Sequence, residues 1–543
     1  MVVRFRFLTC VLALLPAARG LAAGPSSPPV PQAGVRAAVE VTAMDLDVVA
    51  TKDGRAVNDL AREEFVVRVD GKPVPIDYFT RIEAGTVHGP DLATASPDLV
   101  LDTLKADSGE TYVPRQFLVY FDDDRLLPPQ RVAVIEGLRD FVTRLSPSDR
   151  ASIVSYTGAT RVLVPFTNSK ETLLDGLSRL EKASPAGLMW ESQYQQTVRE
   201  LRVARPYTRD GILRNWQVQA ATRERSALAE LARSVSALAA RSGKRTLLLV
   251  TNGYEWFPGQ TLTQAYGTSL NSQFEENIGD DIGKVLARAN SSGITIQVFD
   301  AKGLSSDSDA SQMLPAGVNP FFKAQNFRDS MAALAADTGG SLVENRNVFR
   351  ADLDRVYREA SSYYSVGVTL NGVPGRGSRK VEVRSTRPGV AVRARTGFGA
   401  KTADEAAVDR VEMALLTPGA TGDFAATLRI GALEKKGGIG RRTAPWDVAF
   451  PISELTFREE GGFMKAAAEV TLSAAEDTGA RSSIKPEKVS VSIPVADWEK
   501  AKGQAFVHRG QLTTGKGNIR FVAAVRDVAS GRMALASFDL RVE

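Results

Sequence analysis

The chain has 543 residues, 43% of them hydrophobic and 24% charged, with a formal net charge of +5. At roughly 150 residues per domain this length predicts about three or four globular domains. No tract of five or more like charges occurs, so nucleic acid is not an indicated partner, and a single cysteine excludes a disulfide framework.

The N-terminus differs from the rest. Arg4 and Arg6 precede an apolar stretch over 7–16, and Leu21-Ala22-Ala23 offers a small-residue cleavage site, which together read as a secretory signal peptide over 1–23. An uncleaved anchor is the rival, but a spanning helix needs about 20 apolar residues. Cys10 lies inside the leader, so the mature chain has no thiol for a metal site or a nucleophile. Cleavage before Cys10 at Leu8-Thr9 would leave almost no apolar region, which argues against a lipobox. The expected destination is therefore outside the cytoplasm, in periplasm, cell surface or medium, with no transmembrane segment in the mature chain. Without Arg4, Arg6 and Arg19 the mature chain lies closer to neutrality.

A Pro/Ser/Gly-rich spacer over 24–34 leads into an N-terminal β region over 35–108. Its strands alternate in hydropathy, with turns at Asp53-Gly54 and Asp70-Gly71. Over 109–361 the pattern changes to strands alternating with helices. Residues 117–121 are continuously apolar, as in a strand covered on both faces. Val134, Leu138, Phe141 and Leu145 then recur at helical spacing, and Leu228, Leu231, Val235 and Leu238 mark a long helix before the strand over 245–250. Such alternation predicts parallel βαβ units in a doubly wound sheet. Stretches near 185–210 and 256–279 exceed the minimal unit and are expected as insertions at the sheet's functional edge. Strands over 362–400 are expected to complete the N-terminal sandwich. A connector over 401–423 precedes a C-terminal β-sandwich over 424–543.

Several motifs in fixed order resemble one protein group. Asp53-Gly54-Arg55-Ala56-Val57, Glu64-Phe65 with Asp70-Gly71-Lys72, and a strand ending in Asp122 come first. Val298-Phe299-Asp300-Ala301-Lys302-Gly303-Leu304 and Ala335-Ala336-Asp337-Thr338-Gly339-Gly340 follow, then Tyr363-Tyr364-Ser365-Val366-Gly367 and Arg393-Ala394-Arg395-Thr396-Gly397-Phe398. Over roughly 35–400 the chain is similar to the exported bacterial VWFA-related proteins, which carry a von Willebrand factor type A (vWA) domain between β segments. The resemblance implies a multidomain α/β plus β protein: a Rossmann-like domain, with helices on both faces of a mostly parallel sheet, flanked by β-sandwich regions. It also implies partner binding at the C-terminal edge of that sheet, where functional relatives hold a divalent ion on an Asp-x-Ser-x-Ser loop, a threonine and a further aspartate.

Here that loop reads Asp122-Asp123-Asp124-Arg125-Leu126. Asp122 fits the first position, Asp124 replaces the first serine, Leu126 cannot coordinate, and Asn252 stands where the third loop would supply aspartate. The second-loop threonine has no counterpart near Pro185. The adhesion motif is thus degenerate, with Asp122, Asp124 and Asn252 as candidate ligands for Mg2+ or Ca2+ and Asp123 turned aside. The competing reading makes Asp122 a structural acceptor of loop amides with solvated neighbours. Asp300 reads as a turn with Lys302-Gly303, and Asp307 and Asp309 as part of a polar loop. Trp190, Tyr194, Tyr254, Trp256 and Phe257 are candidate partner contacts, with internal packing as the alternative.

The parts of the common catalytic constellations do not come together in the sequence. His88 and His508 are the only histidines and fall in separate regions. No Gly-x-Ser-x-Gly, His-Glu-x-x-His or phosphate-loop pattern occurs, and Gly243-Lys244-Arg245-Thr246 lacks a hydroxyl beside the lysine. The expectation is a non-catalytic binding protein with a protein or envelope partner. A glycan-directed extracellular hydrolase and a structural envelope-assembly protein are the alternatives, since paired acids leave no mark in sequence.

Overall fold

A computed structural model describes residues 41–88, 104–105, 111–267, 276–304, 320–371, 378–435 and 441–542. The expected leader and spacer, Cys10, Asp307 and Asp309 lie outside the described residues. Among those described, no helix is long and apolar enough to cross a membrane.

The chain is mixed α/β with several sheets. Strands Arg115–Phe121, Arg150–Tyr156, Lys244–Thr251, Ile294–Asp300 and Leu342–Val343 lie parallel, and Thr160–Thr167 closes one edge antiparallel to Arg150–Tyr156. Helices α1 (Pro128–Arg144), α2 (Lys170–Lys182), α3 (Gly187–Val203), α4 (Pro206–Ala239), α5 (Gln260–Tyr266), α6 (Gly279–Ser291), α7 (Pro320–Ala336) and α8 (Arg350–Ser361) accompany this sheet. Every residue of Arg115–Phe121 is buried, because alternate side chains serve two cores. Phe117, Val119 and Phe121 meet Val134 and Leu138 of α1, Leu177 of α2 and Leu353 of α8. On the other face Leu118 and Tyr120 meet Leu231 and Val235 of α4, Val285 of α6 and Leu334 of α7. At roughly 1.5–3 kcal/mol per buried large aliphatic or aromatic side chain, these two layers dominate the stability of the domain.

The strand order places Arg115–Phe121 between Arg150–Tyr156 and Lys244–Thr251. The chain leaves the first strand to one side, returns, and continues on the other. The carboxyl ends of Arg115–Phe121 and Lys244–Thr251 therefore flank a topological switch point, where open α/β sheets bind ligands.

The β segments before and after this domain share one sandwich. Val41–Lys52 pairs antiparallel with Tyr363–Asn371, which pairs in turn with Tyr78–Glu83, while Arg379–Ser385 pairs with Phe65–Val69. Met44, Leu46, Val67, Val366 and Val381 fill the space between the two sheets. The sandwich sits against the amino ends of the parallel strands, where Lys244 pairs with Asp47 and Arg395 donates to the Asp45 carbonyl. The switch point is left at the far end.

Helix α9 (Ala403–Leu416) begins at a capping box: Thr402 Oγ1 accepts from Glu405 N at 3.2 Å, and the Glu405 carboxylate accepts from Thr402 N at 2.8 Å. Val411 and Leu415 pack on Val522 and Ala524 of strand Gly517–Asp527, and α9 also lies along α4. The C-terminal sandwich then closes around Trp446, Val448, Phe450, Leu472 and Phe521.

The stretch at 185–210, expected as an insertion, is helical: it contains α3 and the start of α4, which form a hairpin. Pro206 starts α4, and a buried stripe runs through Leu213, Trp216, Ala220 and Ala227 to Leu238, interrupted by Glu224. At about 1.5 Å per residue the 34 residues of α4 span about 50 Å. The sequence reading caught only the C-terminal part of this helix.

Candidate functional site

The site forms where the sheet ends. Asp122 N donates to Val250 O at 2.9 Å and Asp124 N to Tyr156 O at 2.9 Å, so the Asp122–Asp124 turn is tied to both neighbouring strands. The turn closes when Arg125 N donates to Asp122 O at 3.0 Å. These backbone bonds aim the three carboxylates in three directions.

Asp122 is fully buried. Its Oδ2 accepts from the Thr251 hydroxyl at 2.9 Å and lies 3.5 Å from Arg125 Nε. Burial pushes its carboxyl up to about 6, against the opposing pull of Arg125. Asp123 is turned away from Asp122, the first of its two expected positions, and not into solvent: it is buried and held by Ser155 Oγ at 2.5 Å and Arg131 at 3.4 Å. The reason is the pleat: a side chain one residue beyond Asp122 faces the opposite layer, where α1 supplies Arg131. Asp124 is partly exposed and accepts from Arg223 Nε at 2.6 Å, while Arg223 also donates to Asp124 O at 2.7 Å. Its neighbours are therefore ion-paired rather than solvated.

Arg125 is the hub. Its guanidinium is 3.4 Å from Asp124 Oδ2, donates to Glu224 of α4, donates from Nε to Gly253 O at 3.1 Å, and lies 4.8 Å above the Tyr254 ring. Burial works against its charge, but Asp122 and Glu224 outweigh that and hold its pKa above the usual range. Gly253 has φ of 89°, and a Cβ there would meet Phe327 O at 2.7 Å, so the carbonyl that receives Arg125 depends on glycine. Asn252 uses its amide nitrogen to bridge Arg125 O at 2.8 Å and Gln130 Oε1 at 2.9 Å. Asp122, Asp124 and Asn252 are thus gathered around one arginine.

Whether this set suits a divalent ion is a question of free oxygens. Asp122 Oδ1 and Asn252 Oδ1 are buried and meet no protein donor, and Asp124 Oδ1 at the partly exposed end is not used by Arg125 or Arg223 either. Against them, Asp122 Oδ2 serves Thr251 and Arg125, Asp124 Oδ2 serves Arg125 and Arg223, and Leu126 is buried hydrocarbon. Mg2+ or Ca2+ requires about six or more oxygens, water included, and the fixed guanidinium of Arg125 beside the free ones repels a second cation. Among the described residues no cluster of three His, Cys, Asp or Glu side chains is placed to hold a metal. The donor set does not fit Mg2+ or Ca2+.

The aromatic candidates divide. Tyr254 is fully buried beneath Arg125 and cannot contact a partner, a correction to its expected role that follows from its position under the loop. Trp190 stacks on Trp216 at 4.6 Å and Tyr194 lies 5.8 Å from the same ring, with Leu213, Leu262 and Tyr266 around them. Arg223 lies 4.3 Å above the Trp190 ring, so this satellite core buttresses the ion-pair network. Trp256 and Phe257 are half-buried, and Phe257 N donates to Asn326 Oδ1 at 2.8 Å. Leu188 and Met189, 57% and 70% exposed, are apolar groups beside the Asp122–Asp124 turn that the sequence reading did not single out. They are tied to the site because Ala186 N donates to Asp123 O at 2.9 Å. Asp300 accepts from Lys302 N at 3.0 Å, forming a turn. His88 is the exposed end of strand Thr86–His88 in the first sandwich, and His508 lies 5.6 Å from Trp446 in the last one.

Glu255 is a buried carboxylate behind this edge. It accepts from Gly259 N at 3.0 Å, and burial, with Glu224 nearby, pushes it up to about 7 despite Lys323 and Arg223. A carboxyl raised from 4.5 favours the fold most when protonated, below its unfolded pKa, and that contribution is lost as pH rises towards 7. The loss is on the order of 3 kcal/mol. Melting temperature is therefore expected to fall between pH 5 and pH 8, with a shallower fall in Glu255→Gln. Equal slopes in the two proteins would show that Glu255 is not the group responsible.

No family model and no curated protein matches the chain. Among solved structures it is similar to the conserved hypothetical protein BatB from Bacteroides thetaiotaomicron, at 12% identity over 46% of this chain and 97% of that one, with a TM-score of 0.25. A von Willebrand factor type A protein from Catenulispora acidiphila matches at 10% identity over 86% of this chain and 74% of that one, TM-score 0.22. The vWF domain of the type V pili tip protein Mfa5 from Porphyromonas gingivalis matches at 10% identity over 45% and 94%, TM-score 0.23. Identities and scores of this size assign neither a family nor an activity, and the functional reading rests on this chain's own geometry.

Proposed function

We propose that the chain is an exported, non-catalytic binding protein of the vWA kind, which recognises a protein or another envelope component through the edge around Asp124, Arg223, Leu188 and Met189. The observation that carries this reading is a buried, ion-paired network at the switch point with two exposed apolar side chains beside it. Apolar anchors next to a fixed polar frame are the usual makings of a protein contact. The edge is proposed to work without Mg2+ or Ca2+, because Arg125 supplies the cation that Asp122, Asp124 and Glu224 require.

Nothing specific favours a glycan hydrolase. Buried Asp122 and Glu255 point into ion pairs or backbone amides, not towards a shared groove. A purely structural role in envelope assembly predicts no saturable partner at this edge.

A photo-crosslinking residue placed at Met189 tests the reading with a detergent-solubilised envelope protein fraction. A saturable crosslink to one partner is expected, lost on Leu188→Asp and unchanged by chelator. A crosslink indifferent to Leu188→Asp, or no saturable crosslink, would sink the proposal.

A further inference from the structure

The hairpin of α3 and α4 extends beyond the part that packs on the domain. Val198 and Leu201 of α3 and Leu213 and Trp216 of α4 form the satellite core with Leu262 of α5. Past Leu201, residues 202, 203 and 205–208 are all exposed. The tip carries Val203 at 86% exposure and Tyr207 at 73%, separated by Ala204-Arg205-Pro206. Arg199, Arg202 and Arg205 stand exposed on it with Glu200, while Arg209 donates from Nε to Ala204 O at 3.1 Å.

A basic collar around an exposed apolar tip needs an explanation that core packing does not give. Val203 costs solubility where it is, and the helices would form without it. Two helix ends meeting at Pro206 make a convex point, not a groove that could enclose a partner side chain. A convex apolar tip suits a deformable layer, where Tyr207 can sit at the headgroup level and arginine stems can lie along apolar surface with their charges outward.

We propose that the α3–α4 tip is a peripheral docking point for a bilayer rich in anionic phospholipid, with Val203 and Tyr207 entering the interface and the arginines contacting phosphate headgroups. The surface is separate from the edge around Asp124, so failure of one does not imply failure of the other. Each arginine near an anionic surface contributes about a fivefold gain in partitioning, and the contribution is screened by salt.

Cosedimentation of the full chain with vesicles of phosphatidylglycerol and phosphatidylcholine in equal parts tests this, with phosphatidylcholine alone as the reference. Binding to the anionic vesicles is expected, weakening with salt. Arg199→Ala, Arg202→Ala and Arg205→Ala combined should weaken it about a hundredfold. Val203→Asn with Tyr207→Ser keeps the charge and should also weaken binding, by removing the inserted groups. All five positions are exposed, so circular dichroism should be unchanged. Equal sedimentation with both vesicle types, or binding unaltered in both variants, would overturn the proposal. Capture by polyglutamate as strong as by vesicles, unaffected by the Val203/Tyr207 pair, would assign the tip to an acidic protein instead.

Discussion

Replacing Arg125 by alanine is expected to lower the stability of the α/β domain by about 3–5 kcal/mol at neutral pH and to make that stability depend on divalent cations. The guanidinium is nearly inaccessible and is shared by Asp122, Asp124 and Glu224. Removing it leaves Asp122 and Glu224 as buried carboxylates with no comparable partner, while Arg223 still serves Asp124. Such groups must take up protons or capture a cation. Deleting the guanidinium frees oxygens of Asp122 and Glu224 next to the Thr251 hydroxyl and the Asn252 oxygen, and removes the fixed charge that repels a second cation. Mg2+ or Ca2+ at ten times its Kd would restore about 1.4 kcal/mol. Thermal unfolding with and without chelator reads both effects. Wild type should be indifferent to chelator, Arg125→Ala should melt lower, and millimolar Ca2+ should raise only the variant. A wild-type melting temperature that rises saturably with Mg2+ would show that the arginine is not the resident cation. Failure of every divalent ion to rescue the variant would equally refute the exchange of roles.

The second large effect is expected at the opposite end of the sheet. Arg115 makes a two-pronged pair with Asp149, both contacts at 2.7 Å, and donates to Ser361 and to the Tyr357 hydroxyl at 2.9 Å. Asp149 is fully buried and also accepts from Ser146 N at 2.7 Å. Asp149→Ala should cost about 3–5 kcal/mol, since a buried guanidinium loses its counter-charge. Arg115→Met combined with Asp149→Ala should recover a substantial part of that loss, because two buried charges are then removed together. The denaturant midpoint of the α/β transition in the single and double variants measures the coupling. Additive losses would mean that the pair acts through packing alone.

Much of the architecture was legible because strong local signals coincide with it. Residues 117–121 and 245–250 are continuous apolar runs, and both are strands buried on two faces. Gly339-Gly340 marks the end of α7, where Gly339 adopts a φ of 75°. Strand Thr160–Thr167 was missed because Pro165 interrupts its run, and the structure places it at the sheet edge, where proline is tolerated. The site was legible only in part. Asp122 announces itself as a carboxylate at a strand end, but Glu224 is 99 residues from Arg125 and no local pattern joins them. One clue was available: Glu224 shares the helical stripe of Gln217, Ala220, Ala221, Ala227 and Leu228, and a glutamate on an apolar stripe needs a buried cation. Tyr254 misled for the converse reason, since its loop position gave no sign that a guanidinium would cover it.

The pairing of Val41–Lys52 with Tyr363–Asn371 has a consequence for the order in which the chain can fold. Ser365 and Asp45, which share a 2.6 Å hydrogen bond, are 320 positions apart. As the chain emerges from its N-terminus, the first strand waits for 320 further residues before its partner appears. During that interval Met44, Leu46 and Val48 form an apolar face on a strand with an open edge, the kind of segment that pairs with other chains. The α/β domain, with its short-range βαβ contacts, can be complete by then, and its formation brings residues 111 and 363 to one end of a single sheet. Its closure thereby converts a search over hundreds of residues into a short-range encounter. A defect in that domain would leave the first strand unpaired, so aggregation seeded far from the mutated residue is the expected phenotype.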